Sequence, residues 1–600
     1  MKFLSKLYRQ TSDLFIWLKN HVPAFVTSDG FLRFCIALIF LKTIWAIWVY
    51  KDMTYGDTSS YFQNARGFAN DGSNNFAWSP TYTSYFGMLY YFTRDAYTTV
   101  IFHRVFEIAA IVFLMFELCR RLLSPVIAFL LVAWWLLLPI NHNSLYEVHL
   151  FAFIPLLLCL YLSTVVEGYW GRAITLACLA LTTILVRNEY AIASVLFGLA
   201  CLVIDFILPC WRNFREEGWN VLKTLAIYVT MGVVTFLIAF SFYDRSLYKY
   251  PALKPVMHAK HALNMAQILT YTHQQRTGDT SFSPWTEYQD YMKKTYGNDL
   301  PTLSEAFMAN PGAVIQHFTW NLGLAPNGFQ VALFNVRAGD DEPDYIPTPK
   351  SPTLAYSLSA AFFVLLAAGA FCYYTLKEKT SLFAVHPWTW YTVLCMALTG
   401  CFVIMMQRPR PSYMFMLTFS LMLLAGVALY YIIRRFQLEK SVTTYFPCVA
   451  VIIVFIFPWY WVNRGVNEHR RPLLAHVHAL ELAGIPNLPD QRVILLEYAF
   501  ESTAYAWGAG VGQPLGPYVQ KATDFASLNA ALDKDKFRYV VINDEQLKQN
   551  VLKLPGAGAG PIPQGWKLLA QVDDHDAKTF VLDRLPDMPP NIPTYRQVTQ

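Results

Sequence analysis

Apolar runs of about 20 residues recur along the chain, separated by short polar or basic turns. A helix needs about that length to cross a hydrocarbon core of ~30 Å. The pattern predicts spans at 31–50, 97–119, 123–140, 149–166, 173–187, 190–208, 221–243, 353–376, 388–406, 412–433 and 444–462. That makes about eleven transmembrane helices, the fifth being short.

The stretch from Tyr55 to Phe92 follows the first apolar run and is too polar to span. After Asp57 its apolar residues fall at Tyr61, Phe62, Ala65, Phe68 and Ala69, with Gln63, Asn64, Arg66 and Asn70 between them. This is the stripe of an amphipathic helix lying in the plane of the membrane interface. Residues 72–75 break the pattern, and Pro80 opens a second short helix rich in tyrosine and phenylalanine. The first outer loop, 51–96, is therefore expected to carry two juxtamembrane helices, with the carboxylate of Asp57 at the start.

Two further polar regions stand out. Residues 244–352 hold helical stretches at Val256–Gln275 and Leu303–Leu322 and an acidic, proline-containing exposed loop at 338–350. From about 463 the strand-like runs 492–496, 538–542 and 579–582 alternate with helical stretches such as 524–532, which predicts a small α/β domain. The glycines of 508–516 (GAGVGQPLG) lack the Walker lysine and read as a plain loop. The expected organisation is a cytoplasmic amphipathic N-terminus (1–30), a transmembrane module (31–243), a large outer loop (244–352), further transmembrane helices (353–462) and an outer α/β domain (463–600).

Composition agrees with a membrane class. The 600 residues are 55% hydrophobic and only 15% charged, against roughly 25% charged in soluble domains. Lys2, Lys6, Arg9 and Lys19 put the N-terminus in the cytoplasm by the positive-inside rule. Alternation then places Arg120, Arg121, Arg172, Arg212, Arg215, Lys377, Lys379, Arg434 and Arg435 on that same side. The net charge of +6 thus reflects topology and not nucleic-acid binding. All ten cysteines lie in or beside predicted spans, so no disulfide framework is expected. No N-x-S/T sequon occurs, which favours a bacterial inner membrane.

Ionisable residues gather at the predicted outer ends of the spans. Arg104 and Glu107 lie early in the second; His142, Glu147 and His149 follow the third; Arg187 and Glu189 join the fifth to the sixth; Arg408 and Arg410 end the ninth. Charges at membrane depth are costly unless they are used. Arginine grips a phosphate bidentately, most strongly where water is excluded. A carboxylate at the water–lipid boundary can have a raised pKa, which suits a general base. Each residue also has a plainer role. Asp57 can be a helix N-cap, Arg104 can pair with Glu107, and Arg187, Glu189, Arg408 and Arg410 can be interface anchors. His142, Glu147 and His149 can form a hydrogen-bonded turn, or with Asp57 take a divalent metal.

This layout resembles the GT-C superfamily of membrane glycosyltransferases. The resemblance rests on GDTSSYFQNA after the first helix, two juxtamembrane helices in that loop, an early arginine in the second helix, polar outer turns, and an outer C-terminal domain. It is nearest to the bacterial branch of aminoarabinose and protein-mannosyl transferases and covers about residues 30–330. It implies a polyprenyl-phosphate sugar donor and Asp57 as the catalytic acidic residue. Many members have a second acidic residue beside the first, whereas Thr58 stands here.

The expectation is a polytopic α-helical enzyme of the bacterial inner membrane, with its C-terminal domain periplasmic. It moves a sugar from a polyprenyl-phosphate donor to a glycan, lipid or protein acceptor among membrane lipids. Asp57 is the base, and Arg104, Arg187, Arg408 and Arg410 hold the donor phosphate. Tyr61, His142, Glu147, His149 and Glu189 are secondary polar candidates. No cofactor is assigned; a divalent metal held by Asp57, His142, Glu147 and His149 is the alternative left open. A lipid-linked-glycan flippase is disfavoured because no inverted repeat appears and the charges avoid the midplane. An O-antigen ligase or polymerase-like enzyme would instead centre its chemistry in 244–352.

Overall fold

The computed structural model describes residues 28–44, 57–72, 79–138, 147–249, 253–334 (except 280 and 286), 352–376, 381–438, 446–453 (except 448), 471–485, 493–495, 507, 511–543, 554–556, 562–574 and 577–584. In chain order its α-helices are α1 (Asp29–Ile44), α2 (Asp57–Asp71), α3 (Pro80–Thr93), α4 (Ala96–Leu122), α5 (Pro125–Leu136), α6 (Glu147–Val165), α7 (Gly168–Leu185), α8 (Ala191–Leu202) and α9 (Leu208–Lys249). Then come α10 (Leu253–Thr277), α11 (Gln289–Tyr296), α12 (Leu303–Ala309), α13 (Pro311–Gly323), α14 (Ala325–Phe334), α15 (Pro352–Thr375), α16 (Pro387–Gln407) and α17 (Pro411–Arg435). The C-terminal region adds α18 (Arg471–Leu482), β1 (Val493–Leu495), β2 (Val511–Pro514), α19 (Gly516–Lys521), α20 (Phe525–Lys534), β3 (Tyr539–Asn543), β4 (Lys567–Asp574) and β5 (Ala577–Asp583).

Among the described residues, eight helices are long and apolar enough to cross a membrane. They match the predicted spans from the second onward, apart from the third, which is the 12-residue α5. The first, α1, has 16 residues, and most of the eleventh lies outside the described residues. Within 219–243 none of the most apolar window is buried, and Trp219, Phe236 and Leu237 stand exposed at 68%, 63% and 58%. A helix apolar on every exposed face is solvated by lipid. This is a multi-pass membrane protein.

The chain divides into two compact units, 1–45 with 105–463 and 46–104 with 464–600. In the first, α4, α5, α6, α16 and α17 bury one apolar core that includes Phe129, Phe153 and Phe419. Gly369 is required there, since a Cβ on it would lie 2.4 Å from Cα of Ala428 on α17. A charged group buried between spans is fully met. Asp205, on a single π-helical turn (203–207), takes Nε and Nη2 of Arg172 at 2.7 and 2.6 Å and the Tyr228 hydroxyl at 2.7 Å.

In the second unit the two predicted juxtamembrane helices are present as α2 and α3. The amphipathic stripe is what joins them: Phe62 stacks on Phe86 at 4.3 Å and Tyr61 meets Tyr82 edge-on at 5.5 Å. Gly87 lets the helices close, because a Cβ there would meet the Ala65 carbonyl oxygen at 2.6 Å.

The C-terminal region of that unit carries a five-stranded mixed sheet in the order β2-β1-β3-β5-β4. Strand alternation fills both faces: Tyr539 and Val541 of β3 join a core with α18, and Val540 and Ile542 join one with α20. The stretch 508–516 is not all loop, as the sequence reading has it. Val511–Pro514 forms the edge strand β2, parallel to β1, and α19 follows it. β4 also escapes the sequence reading. The predicted helix 303–322 is two helices, broken where Asn310 ends α12 and caps α13 ahead of Pro311.

Candidate functional site

Three of the four predicted phosphate-binding arginines lie in the first unit, and two of them, Arg187 and Arg410, converge on Tyr413. Arg187 sits on an extended residue between α7 and the 3-10 turn 188–190, so its side chain leaves the helical bundle at the break. Its Nε donates to Glu189 Oε1 at 2.7 Å, with about a fifth of each side chain exposed. Its guanidinium also lies 5.8 Å from the centre of the Tyr413 ring. Arg410 approaches that same ring at 5.4 Å. His149 meets it edge-on at 4.8 Å, and the charges of both arginines act on His149.

Arg408 is turned elsewhere. It lies over Tyr271 of α10 at 3.9 Å and is only 6% exposed. The sequence placed it at the water boundary; this is corrected, because α10 folds back over it. Burial pulls its pKa down, opposed by Tyr271 and Tyr413, yet a guanidinium stays charged throughout the accessible pH range. Its backbone is left-handed (φ 62°, ψ 157°), which a non-glycine residue adopts at a cost.

The turn carrying these arginines is held from α13 and α14. The last carbonyls of α16 lack intrahelical donors. His317 Nε2 supplies one to Met406 at 2.8 Å, and Asn321 Nδ2 supplies one to Met405 at 2.8 Å. Gly328 of α14 lets the turn approach: a Cβ on it would fall 2.6 Å from the Pro409 carbonyl oxygen. Arg410 N closes the turn on the Arg408 carbonyl at 2.8 Å.

Arg187, Glu189 and Tyr413 line a cavity of about 280 Å³ whose other wall is apolar, from Ala191, Ile192, Phe402, Val403 and Met406. A narrow slot lined by the same three residues adds His149 and Ser412. The His149 ring nitrogens, Ser412 Oγ and Arg408 Nε are buried without a hydrogen-bond partner among the described residues. Orphaned buried polar atoms beside a cavity call for a ligand or water. His149 and Ser412 line the slot itself, and the larger cavity is polar at the end formed by Arg187, Glu189 and Tyr413 and apolar opposite.

The remaining candidates are distributed as follows. Arg104 is 5% exposed and Tyr61 8% exposed; both belong to the second unit. Asp57 opens α2 and Glu147 opens α6, but their side chains, and all of His142, lie outside the described residues. Among the described residues, no group of three or more His, Cys, Asp or Glu could hold a metal. His149, the one described member of the metal set, has two arginines for neighbours, and that setting repels a cation.

Sequence reasoning missed Tyr271, His317, Asn321, Ser412 and Tyr413. Tyr413 had a signal, since it follows Arg410 by three residues, one turn along the same chain segment. Tyr271 had none.

No family model and no curated protein matches the chain. Solved structures do. An oligosaccharyltransferase of Archaeoglobus fulgidus in the apo form is similar at 10% identity and a TM-score of 0.46, over 86% of this chain and 70% of that one. The archaeal oligosaccharyltransferase AglB from the same organism, solved with an inhibitory peptide and a dolichol-phosphate, is similar at 11% identity and 0.44, over 89% and 71%. ArnT from Cupriavidus metallidurans in the apo state is similar at 11% identity and 0.42, over 92% and 98%. At these values the comparisons record a likeness, and the functional argument rests on the site itself.

Proposed function

We propose that this protein is a membrane glycosyltransferase that moves a sugar from a polyprenyl-phosphate donor to an acceptor at the outer face of a bacterial inner membrane. The observation that carries this reading is the convergence of Arg187 and Arg410 on Tyr413, beside a cavity with one polar end that includes Arg187 and one apolar wall. A lipid phosphate has the same two-part character. Arg187, Arg408 and Arg410 neutralise the phosphate, with Arg104 as a further donor-binding residue. Asp57 takes the proton of the acceptor hydroxyl as its oxygen bonds to the anomeric carbon. The bond from that carbon to the phosphate oxygen breaks on the opposite side, and polyprenyl phosphate leaves with the electron pair. The anomeric centre inverts. Charge-assisted contacts make the phosphate the better leaving group because they strengthen as its charge grows.

Arg187→Ala tests the phosphate site directly. Loss of one contact to a charged group costs about 1.5–3 kcal/mol, roughly ten- to a hundredfold in affinity. Titration of a polyprenyl-phosphate sugar into purified parent and variant reads it. Unchanged affinity would make Arg187 an interface anchor.

A further inference from the structure

Arg187 does not reach the cavity as a bare cation. The Glu189 carboxylate is already on it at 2.7 Å, and both residues line the cavity with Asn188 and Tyr413. A partner only two residues away in a tight 3-10 turn cannot retreat far when a ligand arrives. Any anion held by Arg187 therefore stays close to a fixed negative charge. That repulsion grows with the charge of the ligand, and in a partly dehydrated cavity it is weakly screened.

We infer that Glu189 is a specificity-determining residue that admits lipid-linked sugars bearing a single phosphate and rejects those linked through a diphosphate. The inference rests on the donor-phosphate reading above. A sugar on a lipid phosphodiester brings one negative charge to Arg187, and the diphosphate-linked sugar brings two. The second charge must find its place beside Glu189. Discrimination by a built-in repulsive group is a general route to selectivity. Glu189 thus weakens the grip of Arg187 on every phosphate, and weakens it most on the wrong one.

The experiment compares a short-chain polyprenyl-phosphate sugar with the matching polyprenyl-diphosphate sugar, each titrated into the full-length protein in nanodiscs. The parent is expected to prefer the monophosphate. Glu189→Gln should bind both more tightly and gain about tenfold more for the diphosphate, so the preference shrinks by that factor. Glu189→Asp keeps the charge and should keep the preference. Asn188→Asp leaves the ion pair in place and adds a carboxylate to the same wall, so it should widen the preference; it keeps the idea testable if Glu189→Gln fails to fold. A preference unchanged in both Glu189→Gln and Asn188→Asp, or a parent that favours the diphosphate, overturns the role of Glu189 and leaves the donor-phosphate reading standing. A parent that binds neither lipid overturns both.

Discussion

The guanidinium of Arg408 lies 3.9 Å from the centre of the Tyr271 ring and is almost fully buried there. An arginine so placed exchanges water for the π-face of the ring, a contact of about 0.5–2 kcal/mol. Tyr271→Ala should therefore release Arg408 and weaken donor binding, by roughly two- to thirtyfold on that scale. Tyr271→Phe keeps the ring and should bind donor like the parent. Donor titrations of the two variants decide it: equal losses in both would mean that the hydroxyl, not the ring, is what matters.

Arg408 also holds a left-handed backbone. Strain of this kind costs about 1–3 kcal/mol. Arg408→Gly relieves it and removes a buried charge, whereas Arg408→Ala removes only the charge. The glycine variant is expected to melt above the alanine variant, while both lose donor affinity roughly ten- to a hundredfold. Thermal unfolding in detergent alongside donor titration checks the pair. An alanine variant as stable as the glycine one would mean that the backbone is not strained.

Asp57 opens α2, where it can serve as cap or base. Asparagine caps as well as aspartate but cannot take a proton. A base role predicts that Asp57→Asn folds, binds donor and loses about 10²–10⁴-fold in transfer rate. A folded Asp57→Asn enzyme within a few-fold of the parent would reduce Asp57 to structure and turn attention to Glu147 and Glu189.

His317 gives the arginine turn an acid sensitivity. Burial, with a smaller push from Arg276, lowers its pKa to about 4 from 6.5, opposed by its bond to the Met406 carbonyl. The folded state thus prefers the neutral ring, while the unfolded chain takes a proton at higher pH. This stabilisation is full above about pH 6.5 and is lost as pH falls towards 4, on the order of 3 kcal/mol in all. His317→Gln keeps a hydrogen-bond donor without the titration. Its melting temperature should fall less between pH 7 and pH 5 than the parent's; an identical fall would show that other groups govern acid stability.

Much of this architecture was legible because membrane physics imposes long signals. Spans of about 20 apolar residues declare themselves, and Pro80, Pro352, Pro387 and Pro411 mark helix starts. The stripe Tyr61, Phe62, Ala65 announced α2, and the face it marks packs on α3. Local patterns could place Arg187, Arg408 and Arg410 at helix ends. They could not show that Arg408 lies beneath Tyr271, since the two meet only through the fold of α10 over the α16 terminus. Short edge strands were illegible for the opposite reason. The four-residue edge strand β2 carries too little period-two pattern to stand out from its flanking glycines, whereas the interior strand β1 was read from the run 492–496.

Gly328 stands for what substitution maps of this protein would miss if they followed charge alone. It has no side chain, touches no proposed substrate, and lies on the short helix α14. Yet the Pro409 carbonyl rests where its Cβ would be, between the two arginines of the turn. Adding a single methyl group there would act as a wedge, levering the arginine turn away from α14. The register of the positive charges is thus set by an empty space, and a change that small on α14 would silence the site while leaving every charged residue in place.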